Sequence, residues 1–441
     1  MSKDNNAKSG IDGIYNVKEL GVGKTLLLGL QHTFAMFGAT VLVPLLTGLS
    51  VSTTLLMAGL GTLLFHLITG GKVPAFLGSS FAFLGGYAAV APMENGAADP
   101  TQLAYACGGV VVAGLVYLVV AGLIRLFGVK RVMRFFPPVV TGPIIIAIGL
   151  ILAPSALNNC DTNWIIALTA IVIIIVCNIW GKGMIKIIPI MLGILGAYIV
   201  ALIMGEVDFS SVNEAAWIGL PLHSANFAKF NLNAIITIVP ISLATMMEHI
   251  GDISAISATT NRNYIAKPGL HRTLLGDGLA TSLSALFGGP ANTTYGENTG
   301  VLALSKVYDP LVMRIAAVFA IILSFCPKFA AIVSSMPAAV VGGASLVLYG
   351  MISAIGMRNV VENSVDFTKS RNLIIAAIIL VCALGIEYKS TSGISFSVGD
   401  VNIELSGIAV AAIAGIVLNA ILPGKDYEFN TNIQENNEEE R

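Results

Sequence analysis

Four carboxylate side chains lie inside long apolar stretches of the sequence, at Glu248, Asp252, Asp277 and Glu297. A charge at the centre of a bilayer costs at least about 2.5–3.5 kcal/mol, so a residue that carries one usually faces a cavity and has a function. The structural alternative is a helix cap or a helix–helix hydrogen bond, and it stays open above all for Asp252 and Asp277. These residues predict a polar site at membrane depth.

Glu248 and Asp252 are four residues apart, so on a helix they share one face. Two carboxylates this close in a medium of low dielectric constant disfavour double ionisation, which lets the pair take up and release a proton. His32 is a polar partner for the site, with a hydrogen-bonded core histidine as the alternative. His249 points elsewhere and is expected to be a packing residue. The candidate proton-coupling residues are therefore Glu248, Asp252, His32 and Glu297.

The stretch Gly288–Gly300 surrounds Glu297 and breaks an apolar region. It carries four glycines, a proline, two asparagines and the glutamate between the apolar runs Leu274–Phe287 and Ile315–Cys326. Irregular backbone is tolerated at membrane depth only where protein covers it or where it lines a cavity. A Gly/Pro-broken apolar segment is the best sequence pointer to the substrate site of a transporter. We therefore expect Glu297 to hold a small polar solute.

The composition excludes an ordinary soluble domain. Hydrophobic residues make up 55% of the 441 residues and charged residues 11%, against about 25% charged in soluble proteins. Uncharged runs of spanning length recur, for example Leu103–Ile124 and Trp164–Trp180. The chain is predicted to be an all-α polytopic membrane protein in the lipid bilayer. Its net charge of −1 says nothing about nucleic acid, and no nucleic-acid partner is expected.

No pattern in the sequence is typical of an enzyme or a metal site. There is no Ser/His/Asp order, no His-Glu-x-x-His motif and no Cys pair, and the five cysteines are dispersed without metal-ligand spacing. We therefore expect no catalytic activity, no cofactor and no bound metal.

The apolar runs give fourteen candidate transmembrane segments. The first seven cover roughly 25–47, 51–69, 73–91, 103–126, 137–153, 163–180 and 186–204, and the second seven roughly 232–255, 270–287, 291–308, 311–327, 336–355, 372–388 and 404–422. With an interior N-terminus, only Lys229, Lys328 and Lys389 among the Lys and Arg residues fall outside. The prediction is a multi-pass protein of the cytoplasmic membrane, without a cleavable signal peptide and with both termini in the cytoplasm.

The two sets of seven segments repeat short motifs at matching positions. The fifth opens with Pro137-Pro138-Val139-Val140-Thr141-Gly142 and the twelfth with Pro337-Ala338-Ala339-Val340-Val341-Gly342. In the third, Pro74-Ala75 precedes Ser79-Ser80-Phe81, and in the tenth Pro290-Ala291 precedes Thr293-Thr294-Tyr295. An odd number of spans per repeat places the two copies in opposite orientations. The sequence thus predicts a 7+7 inverted repeat, a common transporter plan.

These residues closely resemble the nucleobase/ascorbate transporter family, and within it the bacterial uracil permeases. The resemblance runs from Gln31-His32-Thr33 to about Leu422 and includes Glu248-His249-Ile250-Gly251. The family signature, Gln/Glu/Pro-Asn-x-Gly-x4-Thr-Arg/Lys/Gly, appears as Glu297-Asn298-Thr299-Gly300, four residues, and Ser305-Lys306. Ser305 replaces the usual Thr and keeps the hydroxyl.

The resemblance implies a substrate site in which short β-strands break spans 3 and 10 and pair with each other. By position, Glu248 and Glu297 resemble the carboxylates that bind the pyrimidine, Phe81 and Gly296 its backbone donors, and Tyr295 a lining residue. Glu at position 297 is similar to the uracil carriers, whereas the purine carriers commonly have Gln. Those uracil carriers couple to protons. Some of them have His where this chain has Asp252, which leaves the proton route open.

The resemblance also implies a core domain beside a gate domain. Residues 25–130 (spans 1–4) and 232–328 (spans 8–11) would form the core, and residues 131–231 (spans 5–7) and 329–424 (spans 12–14) the gate. Residues 1–24 would be a cytoplasmic N-terminal segment and residues 425–441 an acidic cytoplasmic tail.

Three functional hypotheses follow from the sequence. The first is a uracil importer driven by proton symport, with alternating access between the two domains. The second is a xanthine or urate permease of the same family. The third is a facilitative, channel-like pore, which needs no titrating carboxylate and does not accumulate solute. Sequence chemistry alone does not separate proton from sodium coupling, and a homodimer stays open as the assembly.

Overall fold

The structure is a computed structural model that describes residues 13–94, 97–389, 394–398 and 401–424. The predicted acidic tail, residues 425–441, and residues 1–12 of the predicted N-terminal segment lie outside the described residues. The described part of the chain is dominated by helices, and its strands are short.

The helices are α1 (Val22–Thr47), α2 (Val51–Ile68), α3 (Leu84–Val90), α4 (Pro100–Phe127), α5 (Val129–Met133), α6 (Pro138–Asp161), α7 (Trp164–Ile179), α8 (Met184–Ile187), α9 (Pro189–Met204), α10 (Ser210–Glu214), α11 (Leu232–Ile238), α12 (Ile241–Thr260), α13 (Leu270–Leu286), α14 (Gly296–Ser305), α15 (Leu311–Ser324), α16 (Pro327–Ser334), α17 (Ala338–Glu362), α18 (Ser370–Glu387) and α19 (Gly407–Ile421). The strands are β1 (Leu77–Ser79), β2 (Met93–Glu94), β3 (Ala97–Ala98), β4 (Asn292–Thr294), β5 (Ile394–Val398) and β6 (Val401–Leu405).

A helix or a helix pair occupies each of the fourteen predicted positions. Within the described ranges, seven helices are long and apolar enough to cross a membrane when α11 and α12 are taken together as Leu232–Thr260. The number is eight if α15 and α16, which meet at 87°, count as one span. Three shorter apolar helices, α7, α9 and α19, lie at the predicted positions of spans 6, 7 and 14. The helical, multi-pass class of the fold agrees with the prediction, and the full count of fourteen membrane crossings stays a prediction.

Prolines explain two differences from the predicted helices. Span 5 is predicted over 137–153, yet α6 continues through Pro154 to Asp161. A proline removes one backbone hydrogen bond, which membrane helices tolerate when neighbouring groups satisfy the freed carbonyl. Span 8 is predicted as one helix, and Leu232–Thr260 is long and apolar enough for one membrane crossing, with only a local break at Val239-Pro240 between α11 and α12.

The motif that the two repeats share begins α6 and α17, and these two helices pack closely against each other. Pro137 is the N-cap of α6 and Pro337 is the N-cap of α17. A Cβ atom added at Gly149 of α6 would lie 2.2 Å from the backbone oxygen of Tyr349 in α17. Helices in hydrocarbon associate chiefly through such small residues, because burial of apolar surface gives little drive there. The glycine therefore sets the distance between the two helices.

Most of the long helices belong to one of two packed groups. In one group α13 packs against α4 and α2, and α15 against α2 and α1. In the other, α17 packs against α6, α7 and α9, while α18 packs against α6 and α19. Helix α12 lies between the groups, in contact with α4 and α13 on one side and with α6 and α19 on the other.

Two β-hairpins are absent from the sequence prediction. Strands β2 and β3 pair through Met93↔Ala98, and β5 and β6 pair from Ile394↔Leu405 to Val398↔Val401. The second hairpin could have been predicted from the sequence. Apolar and polar residues alternate over 394–405 on both sides of Gly399-Asp400, a dipeptide typical of a two-residue turn. The last span is consequently shorter than predicted, since α19 begins at Gly407 instead of 404.

Candidate functional site

The site is built on a two-stranded ribbon in the middle of the first helix group. Strands β1 and β4 pair antiparallel with the register Leu77↔Thr294, Gly78↔Thr293 and Ser79↔Asn292. A ribbon of this length has two open edges, and each unpaired backbone group on them is costly away from water. The surrounding helices must therefore satisfy those edges.

Hydroxyl side chains from α2 and α13 do so. The Leu77 N–H donates to Thr62 Oγ1 at 2.9 Å, and Thr62 Oγ1 donates to the Leu77 oxygen at 3.2 Å. On the other strand Thr281 Oγ1 donates to the Asn292 oxygen at 2.8 Å. The Asn292 side chain in turn donates to the oxygen of Met57 at 3.1 Å. These bonds hold the ribbon rigidly against its own group of helices.

Two backbone N–H groups follow the ribbon, at Phe81 and Gly296. Each lies two residues beyond the end of its strand, so the antiparallel register places them at opposite ends of the ribbon. Gly296 begins α14, where the first N–H groups have no partner within the helix. Among the described residues neither N–H has a hydrogen-bond acceptor. Gly296 is exposed although Tyr295 and Thr294 beside it are buried, so an open space adjoins it.

Three of the four predicted carboxylates surround this space. Glu248 and Asp252 lie on α12 and Glu297 on the first turn of α14, and all three are partly exposed. Asp252 Oδ2 accepts a hydrogen bond from Thr294 Oγ1 at 2.8 Å. A Cβ atom added at Gly296 would lie 3.6 Å from Asp252 Oδ1.

Like charges act on one another within this cluster. Glu248 interacts electrostatically with Glu297, and Asp252 with both glutamates. Within the described part of the chain no Lys, Arg or His forms an ion pair with Glu248, Asp252 or Glu297. The arrangement can therefore hold a proton among the carboxylates or present them as acceptors to a ligand's N–H groups.

Asp277 pairs with His249, and its charge also acts on Glu248 and Asp252. Both side chains are fully buried, and His249 Nδ1 lies 3.1 Å from Asp277 Oδ2. The His249 ring also approaches Thr294 Oγ1 at 3.5 Å. His249 is a buried residue, as expected from the sequence, and it additionally forms a polar link from α12 to α13 and to β4.

His32 lies behind α14 and contacts Asn298. The Asn298 side-chain amide is 3.2 Å from His32 Nδ1 and donates to the His32 backbone oxygen at 3.2 Å. The other ring nitrogen, Nε2, has no partner among the described residues. The ring is fully buried, so the structure places His32 next to the helix that carries Glu297 and gives it no direct contact with a carboxylate.

Tyr295 contributes its hydroxyl to the ribbon. The group donates to the Ser79 oxygen at 3.0 Å and receives a hydrogen bond from Thr40 Oγ1 at 3.3 Å. The ring lies over Gly78, where an added Cβ atom would stand 2.4 Å from Tyr295 Cζ. Tyr295 therefore lies beneath the site and positions β1, with its hydroxyl engaged by protein partners.

Sequence reasoning missed Thr294 and Tyr349. Thr294 joins Asp252 to the ribbon, and its place beside Tyr295 in the glycine-rich stretch was a usable signal. Tyr349 of α17 meets the Phe81 ring edge-on at 6.0 Å between centroids. It lies in an apolar run of a distant segment, and nothing local in the sequence indicated that contact.

A model of the permease family matches residues 23–391 of the chain. The chain belongs to this family, the nucleobase/ascorbate transporters. The permease is 43% identical over 428 residues to the uracil permease of Bacillus caldolyticus, a match that covers 94% of this chain and 96% of the relative. It is 42% identical over 409 residues to the probable uracil permease of Haemophilus influenzae, covering 91% and 94%. The putative pyrimidine permease RutG of Escherichia coli is 40% identical over 419 residues, covering 92% and 91%.

Solved structures show the same fold at low sequence identity. The transmembrane domain of the cyanobacterium bicarbonate transporter BicA matches with a TM-score of 0.63 and 17% identity, covering 93% of the permease and 100% of that chain. The structure of SLC26A9 matches with a TM-score of 0.65 and 12% identity, covering 92% of the permease and 66% of that chain. These likenesses establish the fold of the permease and carry no information about its substrate.

Proposed function

We propose that this permease imports uracil across the cytoplasmic membrane by proton symport. The observation that carries the proposal is the grouping of Glu248 and Glu297 next to the N–H of Gly296, which has no acceptor among the described residues. The family resemblance adds the Phe81 N–H as a second donor. Uracil is neutral and presents two N–H donors and two carbonyl acceptors. The carboxylates would accept from the donors and the backbone N–H groups would serve the carbonyls. The names of the similar permeases support the same substrate.

Proton coupling is supported by the grouping of acidic side chains. Glu248, Asp252 and Glu297 share one space without a cationic partner among the described residues. Three negative charges in a medium of low dielectric constant repel one another, so at least one group should hold a proton. Loss of that proton towards the cytoplasm would couple uracil movement to the proton gradient.

The two packed groups of helices support alternating access between a core and a gate domain. The ribbon is bonded to α2 and α13 of the first group, whereas Tyr349, which meets Phe81, belongs to the second. A rigid movement of one group against the other would open the site first to one side and then to the other. In this proposal fourteen spans form a 7+7 inverted repeat, β1 and β4 break spans 3 and 10, and both termini are cytoplasmic.

Uptake with competitors tests the substrate. The permease is expressed in cells that lack uracil uptake, and labelled uracil is followed with excess unlabelled uracil, xanthine or urate. We expect competition by uracil alone, because the similar permeases are named for uracil or pyrimidines. Equal competition by xanthine would favour the purine reading and contradict the proposal.

A further inference from the structure

A cavity of about 160 Å³ lies in the second group of helices, away from the ribbon. It is bounded by the start of α6, the turn between α17 and α18, and the end of α19. Three cationic side chains line it, Arg134, Lys369 and Arg371, together with the carboxylate of Asp366. No residue of β1, β4, α12 or α14 lines this cavity, so it is distinct from the proposed uracil site.

Arg371 is fixed in the wall of the cavity by uncharged partners. Its Nη2 donates to Asn419 Oδ1 at 2.7 Å and to the Asn419 oxygen at 3.0 Å, and its Nη1 donates to Asn372 Oδ1 at 3.2 Å. Within the described ranges, none of the groups bonded to this guanidinium carries a full charge. The side chain is therefore oriented without being neutralised by a carboxylate.

Two helix N-termini also border the cavity. Lys369 is the N-cap of α18 and Pro137 the N-cap of α6, and neither terminus is capped by a side-chain hydrogen bond. The first N–H groups of α18 have no partner within that helix, whereas in α6 Pro138 has no N–H and the Val140 N–H donates to the Pro137 oxygen at 2.8 Å. The α6 terminus therefore contributes mainly the positive end of its helix dipole. The backbone thus adds to the positive potential that the three cationic side chains create.

Asp366 is the one carboxylate among the lining residues, and it stays ionised next to Lys369, whose charge acts on it. Its Oδ1 accepts from Thr368 Oγ1 at 2.6 Å and from the Thr368 N–H at 2.9 Å. Hydrogen bonds from the Thr368 side chain and backbone hold the pKa of Asp366 below its usual range. One carboxylate against three cations leaves the lining with an excess of positive charge.

We propose that this cavity binds a phosphate group, either of an anionic lipid headgroup or of a free phosphate compound. Oriented guanidinium groups and helix N-termini are the donors that proteins commonly use for phosphate. The cavity lies where α18 begins and α17 and α19 end, which is the depth of the headgroups on one face of the membrane. A phosphate group occupies the space of only a few water molecules, so about 160 Å³ is sufficient for it.

Ligand-dependent stabilisation of purified, delipidated full-length protein in neutral detergent tests the proposal. The melting temperature is followed during titration with phosphatidylglycerol, inorganic pyrophosphate or phosphatidylcholine. The test variant is Arg134→Gln/Lys369→Gln, which leaves the bonds of Arg371 intact. The matched control is Lys182→Gln/Lys186→Gln, because these two lysines are also exposed and belong to the same predicted membrane face.

We expect the wild type and the control to be stabilised, and the test variant to need a roughly tenfold or higher concentration of ligand for the same effect, since it loses charge-assisted hydrogen bonds. Stabilisation by phosphatidylglycerol alone identifies a lipid headgroup, and stabilisation by pyrophosphate as well identifies a free phosphate compound. Equal stabilisation by phosphatidylcholine, equal responses of the two variants, or no response to either anion would overturn the proposal. Uracil binding by both variants is measured as the check that they fold.

Discussion

Glu297 is the residue on which substrate recognition most depends. It stands in the first turn of α14, beside the free N–H of Gly296, and its charge acts on Glu248. We expect Glu297→Gln to lower uracil affinity by roughly tenfold to a hundredfold, because an amide presents a donor where the substrate also has a donor. Calorimetric titration of the purified variant with uracil measures the loss.

The matched control for this variant is Glu19→Gln. Glu19 is an exposed glutamate of the N-terminal segment, outside the site. Affinity in Glu19→Gln should equal that of the wild type. Near-normal affinity in Glu297→Gln would remove Glu297 from the binding site.

The substrate's own N–H groups allow a second test of the carboxylates. Methylation of N1 or N3 removes one donor and leaves a buried acceptor without a partner, which costs about 1–3 kcal/mol. We expect both N-methylated uracils to compete roughly tenfold or more weakly than uracil in the uptake assay. Thymine keeps both donors and adds only a C5 methyl group, so it serves as the control and should lose less. If N-methylated uracils compete as well as uracil does, recognition of the donors is not the basis of binding.

Asp252 has two candidate roles that pH dependence can separate. It accepts a hydrogen bond from Thr294, and it also interacts electrostatically with Glu248. Asn in its place keeps an acceptor for Thr294 and removes the negative charge. Without that charge Glu248 releases its proton more readily, so the pH profile of uracil uptake in Asp252→Asn should move to more acidic values.

Uptake measured across roughly pH 5 to 8 checks this shift. Thr294→Val is the control, because it removes the hydrogen bond and leaves the charge of Asp252 in place. A profile of Asp252→Asn that superimposes on the wild type would make Asp252 a structural acceptor, with the proton held by Glu248 and Glu297 alone.

At the scale of elements, the approach of α6 to α17 depends on Gly149. A Cβ atom there would lie 2.2 Å from the Tyr349 oxygen and 2.3 Å from Ser353 Oγ, so the helices must separate. We expect Gly149→Ala to destabilise the protein by about 1–3 kcal/mol, seen as a lower melting temperature in detergent. Gly350→Ala in α17 is the control, because nothing lies within 4 Å of the added Cβ atom. Equal melting temperatures for the two variants would show that this helix contact does not limit stability.

The elements were predictable to different degrees for physical reasons. The long helices were predicted from apolar runs, because any helix that spans the membrane needs about twenty mostly apolar residues. The end of α6 was missed at Pro154, because membrane helices tolerate a proline that would end a soluble one. The hairpin at 394–405 was recognisable from its alternation and was overlooked next to a strong helical signal.

At the scale of the whole molecule, the sequence predicted which residues are polar at membrane depth, and the fold determines which of them meet. Glu248, Asp252 and Glu297 share one space, whereas Asp277 pairs with His249. That division depends on the positions of α12, α13 and β4 in three dimensions. Spacing along one helix indicates a shared face and contains no information about the neighbour that the face meets.

Reconstitution in proteoliposomes tests the central claim, uracil transport coupled to protons. Labelled uracil is supplied outside vesicles that carry an inward proton gradient, an inward sodium gradient or no gradient, with Glu248→Gln as the inactive control. We predict accumulation above the external concentration only with the proton gradient, abolished by a protonophore and absent in Glu248→Gln. Equilibration to equal concentrations under every condition, or accumulation driven by sodium alone, would contradict proton symport.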